Sequence, residues 1–271
     1  MSLQASLIIT AFEKPLLLKK VLDGVMLQRT LPYEVLIADD GSGADTEKTI
    51  GQFKSRAFFH VEHLWQKHDG FRAARIRNQA IKKARGEYII FLDGDCVPER
   101  HFIDDHLCLA EEGFFFQGKR VLLNRNASNR FEPAQGRAMM LRLLAGGGVK
   151  NAHHMIRMPF WPSSWDASLK GIKTCNMGMY VKDLLAVNGF NEGFVGWGRE
   201  DSELAARLFK FGLMRKKHPF MAACFHLWHE EVSRDRLAIN DSILQQTIAG
   251  SEYRCKDGIF KIPDTADPGN K

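Results

Sequence analysis

Four short apolar runs, at residues 6–10, 33–38, 58–64 and 87–92, alternate with stretches whose apolar residues recur at helical spacing. No other feature limits the possible folds so strongly. The runs have the length of strands. Between them, segment 14–28 places Leu17, Leu18, Val21, Leu22 and Val25 on one face, with Pro15 suited to a first turn. Segments 46–53 and 73–84 repeat the helical pattern, and Arg85-Gly86 stops the latter. Strands joined through helices pair in parallel, with the helices covering both faces. The chain is therefore expected to be α/β, with a Rossmann-like, mostly parallel central sheet and helices on both faces. Ligands in such sheets lie beyond the carboxyl ends of the strands. Polar clusters follow Thr10, Ala38 and Leu92, so three distant segments should meet on one rim.

Beyond Pro98 the pattern predicts a helix to about residue 111 and one strand spanning 114–123. The stretch 124–170 shows no clear period. A connection this long is functional or mobile. Order returns at 171–181, followed by a short helix to 187. A strong helical pattern covers 200–211 and stops at Gly212; a strand at 222–228 and a helix at 233–248 complete the reading.

The five cysteines are odd in number and form no C-x-x-C pair, which argues against a disulfide framework or zinc knuckle and for a reducing compartment. No run reaches the length of a membrane span, and the start lacks the pattern of a secretory signal, so a cytoplasmic location is expected. The formal charge of +6 implies an anionic partner or simply a solvated basic surface. The run Arg215-Lys216-Lys217-His218 offers either a peripheral contact with an anionic membrane or a solvated turn.

Chemistry concentrates in a few places. Asp93-Gly94-Asp95 closes an apolar run, and two carboxylates so spaced can converge on Mn²⁺ or Mg²⁺. Gly196-Trp197-Gly198-Arg199-Glu200-Asp201 precedes a helix. Asp201 at a helix start stays ionised and can take a proton from a hydroxyl, and Trp197 between two glycines suits a sugar face. His226 and His229, three residues apart, offer a nitrogen ligand to the same metal. Arg72, Arg75 and Arg77 lie at or near a helix start, a pattern suited to phosphate.

Four segments in order, SLIITAFEKP, VLIADDGS, GFRAARIRNQAIKKARGEYIIFLDGDCVP and CNMGMYVKDLLAVNGFNEGFVGWGREDSELAARLFKFG, resemble the inverting glycosyltransferases of family 2, which have the GT-A fold. The likeness runs from about residue 5 to 230. Its last segment resembles the galactosyltransferase-type and chondroitin-polymerase-type acceptor half, where the motif usually reads W-G-x-E-D. The resemblance implies transfer of a sugar from a nucleotide diphosphate donor, usually a UDP-sugar, to a glycan or lipid-linked acceptor in surface polysaccharide synthesis, with Mn²⁺ or Mg²⁺ as cofactor. It implies that Thr10, Phe12 and Asp40 hold the base, with Asp39 beside the base or ribose. Arg72 and Arg77 would lie near the diphosphate. Asp93 would face ribose and metal, and Asp95 would ligate the metal directly. Asp201 would be the catalytic base and Glu200 an acceptor-binding carboxylate. His226 would be the late metal ligand, with His229 as the other candidate. On this likeness residues 1–255 form one domain, with a nucleotide-binding half at about 1–123 and an acceptor-binding half at 124–255. A mobile insert is expected near 124–170 and a loose tail at 256–271. Two departures stand out. Phe12-Glu13-Lys14 replaces the frequent tyrosine, asparagine and arginine, and Arg199 replaces a frequent glycine.

Two other readings remain open at this level. A sugar nucleotidyltransferase would need a Gly-rich phosphate loop after the first strand, and Thr10-Ala11-Phe12-Glu13 contains no glycine. A non-catalytic binder of nucleic acid or acidic polymer would fit the charge but has no need of Asp93, Asp95 and Asp201 together, so no nucleic-acid partner is expected.

Overall fold

The computed structural model describes residues 3–230 and 233–262. The elements follow the chain as β1 (Ala5–Ala11), α1 (Pro15–Met26), β2 (Glu34–Asp39), α2 (Ala44–Lys54), β3 (His60–Trp65), α3 (Ala73–Lys83), β4 (Tyr88–Asp93), β5 (Cys96–Pro98) and α4 (Phe102–Leu109). Then come β6 (Phe114–Gln117), β7 (Lys119–Leu123), α5 (Arg125–Arg130), α6 (Gly136–Gly146), β8 (Val149–Lys150), β9 (Ser164–Asp166), β10 (Asn176–Tyr180) and α7 (Val181–Ala186). Last are α8 (Glu200–Phe211), β11 (Met214–Lys217), β12 (Ala223–His226) and α9 (Leu237–Ala249).

An eight-stranded sheet has the order β3-β2-β1-β4-β10-β6-β11-β9. Its first four strands are parallel neighbours, as the strand–helix alternation requires. β10 then runs antiparallel to β4 and opens a mixed extension. Successive side chains on a strand point to opposite faces. Leu7, Ile9, Val35 and Ile37 accordingly pack with Leu18, Val21 and Ile50 of α1 and α2, while Ile8 and Leu36 pack with Ile76, Leu204 and Leu208 of α3 and α8. Burial on both faces explains why β1, β2 and β4 read as largely apolar runs, while β3, at the sheet edge, is only partly buried. Each such side chain contributes about 1.5–3 kcal/mol on burial.

The single strand expected over 114–123 is two strands. The break falls at Gly118, where an added Cβ would lie 2.2 Å from Asn176 Oδ1. β6 stays in the large sheet, while β7 enters a second sheet of order β5-β12-β7-β8. Asn176 fixes the branch. Its Nδ2 donates to the carbonyls of Lys119 (2.9 Å) and Ala222 (2.8 Å), and its Oδ1 pairs with His106 Nε2 at 2.9 Å. The branch places β12 antiparallel to β5, with His226 opposite Cys96, and so sets the late histidines beside the Asp93–Asp95 turn.

Stretch 124–170 contains α5, α6, β8 and β9. Asn124 caps α5 by accepting from Ala127 N at 2.9 Å. The tail differs from the loose segment expected from residue 256. Up to Ile262 it packs on Asn188, which donates to Cys255 O (2.6 Å) and Phe260 O (2.7 Å), and Ile259 is buried. Residues 263–271 lie outside the described residues. The basic run at 215–218 has its charges answered within the fold: Arg215 and Lys217 pair with Asp166, and Lys216 with Glu111 at 2.7 Å. Among the described residues, no helix is long and apolar enough to cross a membrane.

Candidate active site

A cleft of about 1490 Å³ opens at the carboxyl ends of β1 and β4. Its centre is Arg77 of α3, whose guanidinium is buried. Nε donates to Thr10 Oγ1 at 2.9 Å, Nη2 to Asp93 Oδ1 at 3.0 Å and Nη1 to Glu200 Oε1 at 3.4 Å; Asp201 Oδ1 lies 3.7 Å from Nη1. Burial works against its charge, but Asp93, Asp201 and Glu200 outweigh that and raise its pKa. One cation therefore faces three carboxylates drawn from two distant segments, and the cluster keeps an excess of negative charge.

Burial first, and that charge second, show in the acids. Burial and the charge of Asp201, offset only in part by Arg77, push Glu200 up to about 7. Burial, opposed by Arg77 and reinforced by Asp95 and Asp201, holds Asp93 at about 6. Both lie above their unfolded values of about 4. The folded protein thus keeps protons that the unfolded chain has released. This stabilising contribution is complete below about pH 4 and is lost as pH rises through 6 to 7. Glu200→Gln should therefore melt above the wild type, with a gap that widens from pH 5 to pH 8 and reaches several degrees, at about 2–4 °C per kcal/mol. Melting curves that stay parallel over this range would refute the linkage.

Asp95 lies across the turn and faces the histidines. His229 Nε2 is 3.0 Å from Oδ2 and His226 Nε2 is 3.7 Å from Oδ1. Burial alone would raise its pKa, but the hydrogen bond from His229 and the charges of both histidines hold it at about 2. Both histidines, and not one of the two, stand at the carboxylate. A carboxylate beside two imidazoles is a donor set that can hold a divalent cation. Ligand atoms of Asp95, Cys96 and His226 also lie within 4.8 Å of one another.

Asp201, at the start of α8, is held by a partner that sequence reasoning missed. Thr174 Oγ1 donates to Oδ1 at 2.5 Å and Thr174 N to Oδ2 at 3.1 Å. Trp197 also lines the cleft, 39% exposed, with the Arg234 guanidinium 5.0 Å from its ring centroid. Phe12 and His68, also in the cleft lining, stack with centroids 4.4 Å apart and planes inclined by 12°. His68, Arg120, Lys150 and Lys173 also line the cleft and were not anticipated.

Three expected residues lie behind the cleft wall. Asp39 accepts from Ser42 N (2.9 Å) and Ser42 Oγ (2.6 Å) and pairs with His63 Nε2 at 2.8 Å. Asp40 accepts from Gln66 Nε2 (2.5 Å) and from the backbone N of Arg72 (2.7 Å). The Arg72 guanidinium turns outward to Asp69 at 2.7 Å. These groups shape the loops that carry Phe12 and His68; their polar atoms are engaged by the protein itself.

Residues 6–155 match the model described as glycosyl transferase family 2, and residues 157–230 match the one described as the N-terminal domain of galactosyltransferase. Hyaluronan synthase of Pasteurella multocida is 27% identical over 228 residues, covering 76% of this chain but only 23% of that protein. This chain thus spans under a quarter of that relative's length. A crystal structure of S. aureus TarS 1–349 superposes with a TM-score of 0.64 at 14% identity, covering 90% of this chain and 65% of that one. A structure of GalNAc-T7 with UDP, GalNAc and Mn²⁺ superposes with a TM-score of 0.62 at 13% identity, covering 84% of this chain and 44% of that one. These structural likenesses are likenesses of fold, the GT-A arrangement.

Proposed function

The chain belongs to glycosyl transferase family 2, and we propose that it moves a sugar from a UDP-sugar to a hydroxyl of a glycan or lipid-linked acceptor, with inversion at the anomeric carbon. One observation carries this reading: Thr10, Asp93, Glu200 and Asp201 meet around Arg77 in the same cleft as Asp95 and the histidine pair. Phe12 and His68 offer aromatic faces to the base. Asp95, His226 and His229 would hold Mn²⁺, which neutralises charge on the leaving diphosphate. Thr174 orients the Asp201 carboxylate, which takes the proton of the acceptor hydroxyl. The freed oxygen attacks the anomeric carbon opposite the diphosphate, so an α-linked donor gives a β-linked product. Synthesis of surface polysaccharide, on the cytoplasmic side, is the setting this reading favours.

Thermal melts with nucleotides and Mn²⁺ test it. UDP or a UDP-sugar at about 100 times its Kd should stabilise the protein by about 2.7 kcal/mol, a rise of several degrees. GDP should give less. No shift with any nucleoside diphosphate would overturn the reading.

A further inference from the structure

Helix α9 lies beyond residue 230, where the matched segments end. It nevertheless shapes the loop that leads to Asp201. Asn240, fully buried, directs its Nδ2 at three backbone carbonyls of that loop: Val195 (3.2 Å), Trp197 (3.4 Å) and Gly198 (3.0 Å). One amide group, with two N–H bonds, is shared among three acceptors, so the loop curves around it. One turn earlier, Arg236 and Leu237 close the space beside the loop glycines. Gly196 (φ 77°) has no room for a side chain against Arg236, and an added Cβ at Gly198 (φ 102°) would sit 3.3 Å from Leu237. On the other side of Asn240, Asp241 accepts from Arg199 Nε, directly ahead of Glu200. The Asn240 Oδ1 is buried without a partner. A side chain kept for packing alone would not carry that cost, which points to its donor end as the reason for its place.

We propose that Asn240 is the positioning residue of the acceptor side: through the 195–198 carbonyls it holds the Trp197 indole at a set distance from Asp201, and α9 is the wall against which an acceptor sugar is aligned. The inference rests on reading Asp201 as the base and Trp197 as acceptor-facing. Gly196 N also donates to Phe71 O at 2.8 Å, but Trp197 stands between two glycines, so without Asn240 the stretch beyond Gly196 would sample more conformations. An acceptor hydroxyl must stand within hydrogen-bond reach of the base for the reaction to proceed.

The test compares the wild type with Asn240→Asp, which keeps the shape and removes the N–H donors, with Asn240→Ala, and with Asp241→Asn. A hyaluronan tetrasaccharide serves as the acceptor probe. The readouts are acceptor KM, affinity for UDP with Mn²⁺, and hydrogen exchange of the amides at 195–200. Both Asn240 variants should raise acceptor KM ten-fold or more and speed exchange of those amides at least ten-fold. UDP affinity should stay within two-fold, and exchange in β1 and β4 should be unchanged. Asp241→Asn should raise acceptor KM about three-fold. Unchanged KM together with unchanged loop exchange overturns the proposal. So do equal losses in UDP affinity and acceptor KM, which would mark general loosening. Should neither Asn240 variant fold, Asn240→Ser, which keeps a single polar donor and fewer carbonyl bonds, decides by the same readouts. A wild type that binds no UDP and transfers no sugar would sink the functional reading alone, and loop exchange would still decide the role of Asn240.

Discussion

Asp201→Asn should lower turnover by about 10²–10⁴-fold, the usual worth of a general base, while UDP binding stays within about two-fold. Asparagine matches the volume of aspartate, and its one amide oxygen can still accept one of the two bonds by which Thr174 Oγ1 and N hold the carboxylate. What it cannot do is accept a proton at neutral pH. Arg77 would keep Asp93 and Glu200 as partners, so the cluster should survive the change. The loss should therefore fall on kcat, with little effect on donor KM. Single-turnover measurement with saturating donor separates this from slow product release. Near-normal turnover in Asp201→Asn would remove the residue from the role of base and leave Glu200 as the carboxylate to examine.

Removal of divalent metal should abolish transfer, and Mn²⁺ should restore it. Asp95→Asn should resist that rescue, losing about a hundred-fold or more in kcat/KM. A loss of that size is about 2.8 kcal/mol or more of charge stabilisation, at about 1.4 kcal/mol per ten-fold. The geometry explains the severity. Asp95 is the carboxylate that both His226 and His229 approach, so the variant leaves two imidazoles without the anion that gathers them. Asp93 is a poorer substitute, because its Oδ1 accepts from Arg77 while both histidines stand at Asp95. Full activity in excess chelator would refute this assignment, as would an Asp95→Asn enzyme that responds normally to Mn²⁺.

The sequence was most informative where chemistry follows from local pattern. The apolar run ending in Asp93-Gly94-Asp95 placed a carboxylate pair at a strand end, and Gly196 to Asp201 placed an acid at a helix start; both lie in the cleft. The four-segment likeness, read from about residue 5 to 230, agrees with the matched stretches 6–155 and 157–230. The reading was weakest where a side chain's direction depends on partners elsewhere in the chain. Arg72 and Arg77 look alike in sequence. Arg77 lies within α3, whereas Arg72 stands just ahead of it with non-helical backbone (φ −121°, ψ 51°), so one side chain enters the cleft and the other meets Asp69. Asp39 and Asp40 stand at a strand end, where either face is open to them. Ser42, His63 and Gln66 engage their carboxylates, and no spacing rule announces those bonds. Thr174 carries no local mark at all. It meets Asp201 because the chain leading into β10 crosses the start of α8. The two-strand break at Gly118 was hidden for a similar reason: the obstacle there, Asn176, lies 58 residues away.

Where this polypeptide is cut matters more than the matched boundaries suggest. Stopping at residue 230 would discard α9 and leave the carbonyls of Val195, Trp197 and Gly198 without their amide donor. Stopping at 255 would spare α9 but strip Ile259 from its seat and free one side of Asn188. A shortened version should therefore reach at least Ile262, and failure of a shorter one to fold would say nothing about its catalytic competence.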